Sequence, residues 1–191
     1  MIFHPISLKD AYTIAWESRS DDRGLFARAF CADEFRREGL IFSFAQANLS
    51  ENRRAGTVRG MHFQKAPDAE VKLVRCVKGA IYDVIVDIRP DSSTYLQWFG
   101  TTLSAENGLM MYVPEGFAHG YQSLEDHATT FYLVSTPYAP GAEGGLRHDD
   151  PQLAIRWPIP VTSVSPKDLE WPLLPERSSV EANSSTQTHH S

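Results

Sequence analysis

Residues 73–89, Leu-Val-Arg-Cys-Val-Lys-Gly-Ala-Ile-Tyr-Asp-Val-Ile-Val-Asp-Ile-Arg, are dense in β-branched side chains and are interrupted by Gly79. Such side chains fit a pleated surface and a lone glycine suits a tight turn, so the stretch reads as two strands around Gly79. In the second strand Tyr82, Val84, Val86 and Ile88 share one face, while Asp83, Ile85 and Asp87 share the other. A plain core strand would carry leucine where this one carries acids. Further strand-like runs cover Trp98 to Leu103, Leu109 to Val113, Gly120 to Leu124 and Thr129 to Ser135, separated by the turn signals 104–108, 114–116 and 125–126. Short strands at this spacing imply an all-β sandwich or barrel. Helical pattern is confined to 32–38, where Asp33 lies near the expected start and Gly39 supplies the stop.

A chain of 191 residues is one domain on the usual scale of ~150 residues per domain, and its 42% hydrophobic content is enough for a core. We expect a domain over 1–175. From Glu176 onward the sequence has one aliphatic residue larger than alanine, too little to repay ordering, and 176–191 is expected to be a mobile tail. The formal net charge of −6 argues against nucleic acid as a partner, because affinity for a phosphate backbone rests on clustered Lys and Arg. Cys31 and Cys76 are too few for a disulfide scaffold and form no CxxC pair, which fits a cytoplasmic protein. The longest apolar run, 80–88, is cut by two aspartates, and the first twenty residues lack a basic end followed by an apolar run, so neither a membrane span nor a signal peptide is expected.

Alternation along 58–64 sets Arg59, Met61 and Phe63 on one side of an extended chain and Val58, Gly60, His62 and Gln64 on the other. The small neighbours of His62 leave room for a ligand, although a lone histidine is more often a hydrogen-bonded core residue. A Pro114-Glu115-Gly116 turn delivers His119 near the head of another strand. Two histidines on separate strands of a small sandwich invite comparison with cupins. A metal-binding cupin carries a His-x-His pair with a downstream Glu, and positions 63 and 64 are Phe and Gln, so a metal-free cavity is expected. Histidine-driven proton chemistry needs an orienting carboxylate and an acid on the other side. Tyr132, Asp168 and Lys72 are candidates, each with a plainer reading: strand packing, a solvated loop acid, and a lysine snorkelling at a strand edge.

Their joint order is more specific than any one of them. Asp22-Arg23-Gly24-Leu25-Phe26, 44–50 around Gln46 and Asn48, Arg59-Gly60-Met61-His62-Phe63-Gln64, Lys72-Leu73-Val74-Arg75-Cys76, 103–107, 114–120, Tyr138-Ala139-Pro140, Asp150-Pro151 and Ser165-Pro166-Lys167-Asp168 follow one another as in a known family. From about residue 2 to residue 175 the sequence closely resembles the dTDP-4-dehydrorhamnose 3,5-epimerase family. The resemblance implies a jelly-roll, cupin-like β-sandwich with short peripheral helices, no metal or other cofactor, a nucleotide-sugar substrate and a homodimer as the active unit. It also implies His62 as general base oriented by Asp168, Tyr132 as general acid, Lys72 polarising the C4 ketone and Tyr138 stacking on the nucleotide base. Arg23, Arg59, Lys167, Gln46, Asn48, His119 and Glu143 match the family's ligand-binding positions.

The chemistry agrees with these roles. A 4-keto sugar acidifies the hydrogens on C3 and C5, and an ammonium near the ketone oxygen stabilises the enolate left by their removal. Inverting a carbon then needs a base on one face and an acid on the other. The chain departs from the family's pattern at Arg28, a nucleotide-contact position where the family usually carries Glu, at Ala47 and at Pro137. Those departures motivate a second expectation, a 3- or 5-mono-epimerase on a related dTDP-, CDP- or other nucleotide-linked keto-deoxysugar. A sugar-nucleotide binding module and a metal-dependent cupin enzyme are the readings from other classes.

Overall fold

A computed structural model describes residues 1–175; the expected tail, 176–191, lies outside the described residues. The strands are β1 Ile2–Pro5, β2 Tyr12–Ala15, β3 Ser18–Asp21, β4 Gly24–Ala27, β5 Gln46–Asn52, β6 Val58–Gln64, β7 Lys72–Lys78, β8 Ala80–Asp87, β9 Trp98–Ser104, β10 Met110–Val113, β11 Phe117–Ser123, β12 Ala128–Val134 and β13 Glu143–Gly145. The helices are α1 Ala32–Arg37 and α2 Pro166–Leu169. A six-stranded sheet, β1-β2-β10-β7-β12-β5, faces a five-stranded sheet, β13-β6-β11-β8-β9, and β3 and β4 form a separate ribbon. Pairing between these strands is antiparallel throughout. The architecture is the expected jelly-roll, cupin-like sandwich.

The turn at Gly79, with φ of +67°, does not close a hairpin. It passes the chain from β7 in one sheet to β8 in the other, so residues 73–89 supply strands to both layers of the sandwich. Between the sheets Val74, Cys76, Ile81, Ile85, Leu103, Met111, Val113 and Phe117 form the central apolar cluster. The opposite face of β8, with Val84 and Val86, packs with Met61 and Ala118 beneath Leu146, Leu153 and Trp157 of the C-terminal segment. Outside the six-stranded sheet, α1 lays Phe35 onto Ile14, Leu73, Met110 and Tyr112. Phe35 is fully buried and is ringed by Phe3, Phe30 and Phe44 at centroid distances of 5.1–6.5 Å, which explains why so short a helix holds its place. Its start is at Ala32 as expected, but Cys31 caps it without a side-chain hydrogen bond, and Asp33 lies in the first turn.

The strand β11 begins at Phe117, earlier than the expected start at Gly120, directly after the positive-φ Gly116 that ends the Pro-x-Gly turn. Among the described residues no helix is long and apolar enough to cross a membrane.

Candidate active site

The apolar filling between the sheets gives way to a polar cavity of about 520 Å³ walled by Arg59, His62, Lys72, His119, Tyr132 and Asp168. It adjoins a second cavity of about 360 Å³ that shares His62, Lys72 and Tyr132 and adds Gln46, Asn48, Glu70, Tyr138 and Glu143. The two walls come from different sheets. His62 and His119 stand on β6 and β11, while Lys72, Tyr132, Gln46 and Asn48 stand on β7, β12 and β5. In the second sheet Tyr132 is paired with Asn48 on one side and Val74 on the other, and Lys72 is opposite Val134. Tyr132 and Lys72 are therefore diagonal neighbours on the inner face, close enough for both to reach one bound molecule.

His62 Nε2 lies 2.6 Å from Asp168 Oδ1. The other carboxylate oxygen accepts a 3.3 Å hydrogen bond from the Gly60 backbone, and Ser165 caps α2 by accepting from the Asp168 N–H at 3.1 Å. Burial pushes the Asp168 carboxyl up, but the His62 hydrogen bond and charge outweigh it and leave the group below its ordinary value. An ionised Asp168 can only accept, so Nε2 carries the proton and Nδ1 keeps the free lone pair. Asp168 is accordingly not a solvated loop acid: it is 3% exposed.

Strict alternation placed Arg59 on the face opposite His62, and here the structure corrects the sequence reading: both line the cavity. The pleat is broken between them. Gly60 has φ of +110°, and the register of β6 against β11 shifts between His119 and Tyr121. Only glycine fits position 60, since a Cβ there would lie 2.6 Å from Gly120 Cα and 2.7 Å from the His119 carbonyl oxygen. Arg59 is held by Nε donating to Asn52 Oδ1 at 2.8 Å.

Lys72 is not at a strand edge. Its strand is flanked by β10 and β12, its side chain is 10% exposed, and Nζ lies 3.1 Å from Glu70, a residue the sequence reading did not single out. Tyr132 packs against the central cluster and also lines the cavity; burial, with Tyr121 and Glu70 adding to it, raises its hydroxyl above the ordinary value. It remains a phenol, and so a proton donor, across the neutral range. His119 pairs through Nε2 with Asp83 at 2.7 Å, which accounts for one of the acids on the inner face of β8.

At the rim, Glu143 Oε2 accepts from Lys167 Nζ at 2.6 Å and from the Tyr138 hydroxyl at 2.9 Å. Burial pushes Glu143 up, and those two bonds outweigh it and hold the carboxyl low. Gln46 accepts from the Tyr138 backbone N–H at 2.6 Å, which ties the loop carrying Tyr138 to β5. Arg23 and Arg28 do not join this cavity. Arg23 lies at the exposed tip of the β3–β4 ribbon paired with Asp21 at 2.6 Å, and Arg28 pairs with Glu34 at 2.7 Å. Among the described residues no three His, Cys, Asp or Glu side chains gather where they could hold a metal ion.

The dTDP-4-dehydrorhamnose 3,5-epimerase pattern matches residues 5–176. A Sinorhizobium fredii protein named dTDP-4-dehydrorhamnose 3,5-epimerase is 41% identical over 92% of this chain and 91% of its own length. A Streptomyces niveus protein named dTDP-4-dehydrorhamnose 3-epimerase is also 41% identical, over 92% of this chain and 85% of its own. The crystal structure of the Bacillus anthracis dTDP-4-dehydrorhamnose 3,5-epimerase with TDP and PPi bound superposes with a TM-score of 0.88 at 41% identity, covering 91% of this chain and 99% of that one. The chain belongs to the dTDP-4-dehydrorhamnose 3,5-epimerase family, whose members are isomerases.

Proposed function

We propose that the chain inverts C3 and C5 of a nucleotide-linked 4-keto-6-deoxyhexose, converting dTDP-4-dehydro-6-deoxyglucose to dTDP-4-dehydrorhamnose. The observation that carries this reading is the His62–Asp168 pair on one wall of a cavity whose opposite wall presents Tyr132 and Lys72. His62 Nδ1 takes the proton from C3 or C5, and the C–H electron pair moves into an enolate whose C4 oxygen is stabilised by Lys72 Nζ. Asp168 stabilises the imidazolium formed. The enolate collapses to the ketone as Tyr132 gives its hydroxyl proton to the opposite face of the carbon. One proton leaves and one arrives, and the imidazolium and phenolate are restored by exchange with water. The same sequence at the second carbon completes the reaction.

Arg59, Lys167 and His119 supply the positive and hydrogen-bonding groups suited to a pyrophosphate, with Gln46, Asn48 and Glu143 fixing polar groups of the ligand and Tyr138 stacking on the base. Tyr138 is 56% exposed and free to meet a planar ring. The Bacillus anthracis relative, solved with TDP and PPi bound, supports a nucleotide as part of the ligand.

The active unit is proposed to be a homodimer. Leu25 and Phe26 on the β3–β4 ribbon are 59% and 74% exposed, and Leu49 on the edge strand β5 is 69% exposed, an apolar surface suited to a second copy. Arg23 and Arg28 fit a substrate-binding role only if the ribbon reaches the cavity of another copy.

The test is to incubate the protein with dTDP-4-dehydro-6-deoxyglucose and read the configuration of the product by NMR, with Tyr132→Phe as control. Inversion at both carbons, lost in the control, is the expected result. Inversion at one carbon establishes a mono-epimerase instead. No conversion contradicts both.

A further inference from the structure

A carboxylate in the wall of a cavity that has to stabilise an enolate is unfavourable unless it does something else. Glu70 is such a group. It lines the cavity together with Lys72, Tyr132, Gln46 and Asn48, its side chain is 11% exposed, and among the described residues its ion-pair partner is Lys72 Nζ at 3.1 Å. Its position is fixed by the backbone around it. Gln64 Nε2 donates to the Asp68 carbonyl at 2.9 Å, Thr136 Oγ1 donates to the Ala69 carbonyl at 2.9 Å, and the Val71 N–H donates to Ser135 Oγ at 2.8 Å. None of these bonds uses the Glu70 carboxylate, so its charge is not needed to shape the segment. The fold thus holds a carboxylate against the lysine, in the wall of a cavity that the tyrosine of the proposed mechanism also lines.

We infer that Glu70 is a positioning residue of the epimerisation, anchoring the Lys72 ammonium at the cavity wall and adding a negative charge to the cavity that Tyr132 lines. This rests on the proposed function. The four-carbon stem of a lysine otherwise leaves its ammonium in many positions, and an enolate stabiliser works best when its place is set before the charge develops. The same carboxylate disfavours a lasting phenolate at Tyr132, so the tyrosine recovers its proton after each transfer; burial raises that hydroxyl first, with Tyr121 and then Glu70 adding to it and Arg59 opposing.

The test compares wild type with Glu70→Gln, which keeps shape and removes charge, and Glu70→Asp, which keeps charge. Two readouts are taken. In the first, kcat and KM are measured across pH with dTDP-4-dehydro-6-deoxyglucose. Glu70→Gln is expected to lose about 10-fold in kcat with KM changed by less than about 2-fold, and its alkaline limb to move to lower pH, with Glu70→Asp returning toward wild type. The second needs no turnover: the phenolate of Tyr132 is titrated by absorbance, isolated by subtracting Tyr132→Phe made in each background. Its midpoint is expected to fall by about half a pH unit or more in Glu70→Gln. An unshifted midpoint, or an unchanged kcat, overturns the inference. If the wild type converts no substrate, the proposed function fails by that result alone, and the Tyr132 midpoint still shows whether the Glu70 charge acts on Tyr132.

Discussion

His62 and His119 are directly opposite one another on β6 and β11, and each holds a carboxylate through Nε2, at 2.6 and 2.7 Å. They differ in what surrounds them. The His62 side chain is 34% exposed and its aspartate comes from α2, which the chain adds over the end of the sandwich; the His119 side chain is 9% exposed and its aspartate, on β8, is fully buried. Asp168 has both oxygens and its backbone N–H engaged, whereas Asp83 Oδ2 has no hydrogen-bond partner among the described residues. The same pair of residues can thus serve two purposes. Both rings line the cavity; on the proposed mechanism the more exposed His62 acts as base, while the more buried His119 orients the ligand and satisfies a buried acid.

Removing each ring in turn separates the two histidines most clearly. His62→Ala is expected to lower kcat by about 10³-fold, within the usual range for a general base, whereas His119→Ala acts mainly on KM and leaves kcat within about 10-fold. Steady-state kinetics on the two variants checks this, and equal losses of kcat would erase the distinction. Replacing the carboxylates sharpens it. Asp168→Asn removes the acceptor that fixes the His62 tautomer and is expected to cost about 10²-fold in kcat, while Asp83→Asn, in a fully buried position, costs about 1–3 kcal/mol of stability by urea unfolding with a smaller change in kcat.

The smallest effect concerns acid. Asp168 titrates below its ordinary value in the folded protein, so the stability it contributes is fully present above the unfolded carboxylate value of about 3.9 and is lost as pH falls through the lower folded value. Urea midpoints for wild type and Asp168→Asn should therefore converge as pH is lowered from 5 toward 2. A difference that stays constant over that window would show that the carboxylate is not linked to folding through its charge.

Much of this was legible in the sequence because it rests on local pattern. The acids of β8 announced a polar interior face, and Asp83 does meet His119 there. The strand β5 was not legible as a strand, for a physical reason: it turns Gln46, Asn48 and Ser50 inward to the cavity and Leu49 outward, the reverse of the usual alternation. Arg59 was assigned to the wrong face because alternation assumes an unbroken pleat, and Gly60 breaks it. Glu70 was missed because an acid in a loop next to Pro67 and Asp68 looks solvated until the fold turns it inward beside Lys72. The place of Asp168 beside His62 joins residues 106 apart in the chain, which no local pattern encodes; the ordered set of motifs in the family resemblance pointed to it.

The most direct test of the account counts solvent deuterium at C3 and C5 of dTDP-4-dehydro-6-deoxyglucose by NMR, for wild type, His62→Ala and His119→Ala in heavy water. Label is expected at both carbons in wild type, more slowly at both in His119→Ala, and not above background in His62→Ala. Label persisting at either carbon in His62→Ala, and vanishing in His119→Ala, would contradict it and give the role of base to the enclosed histidine.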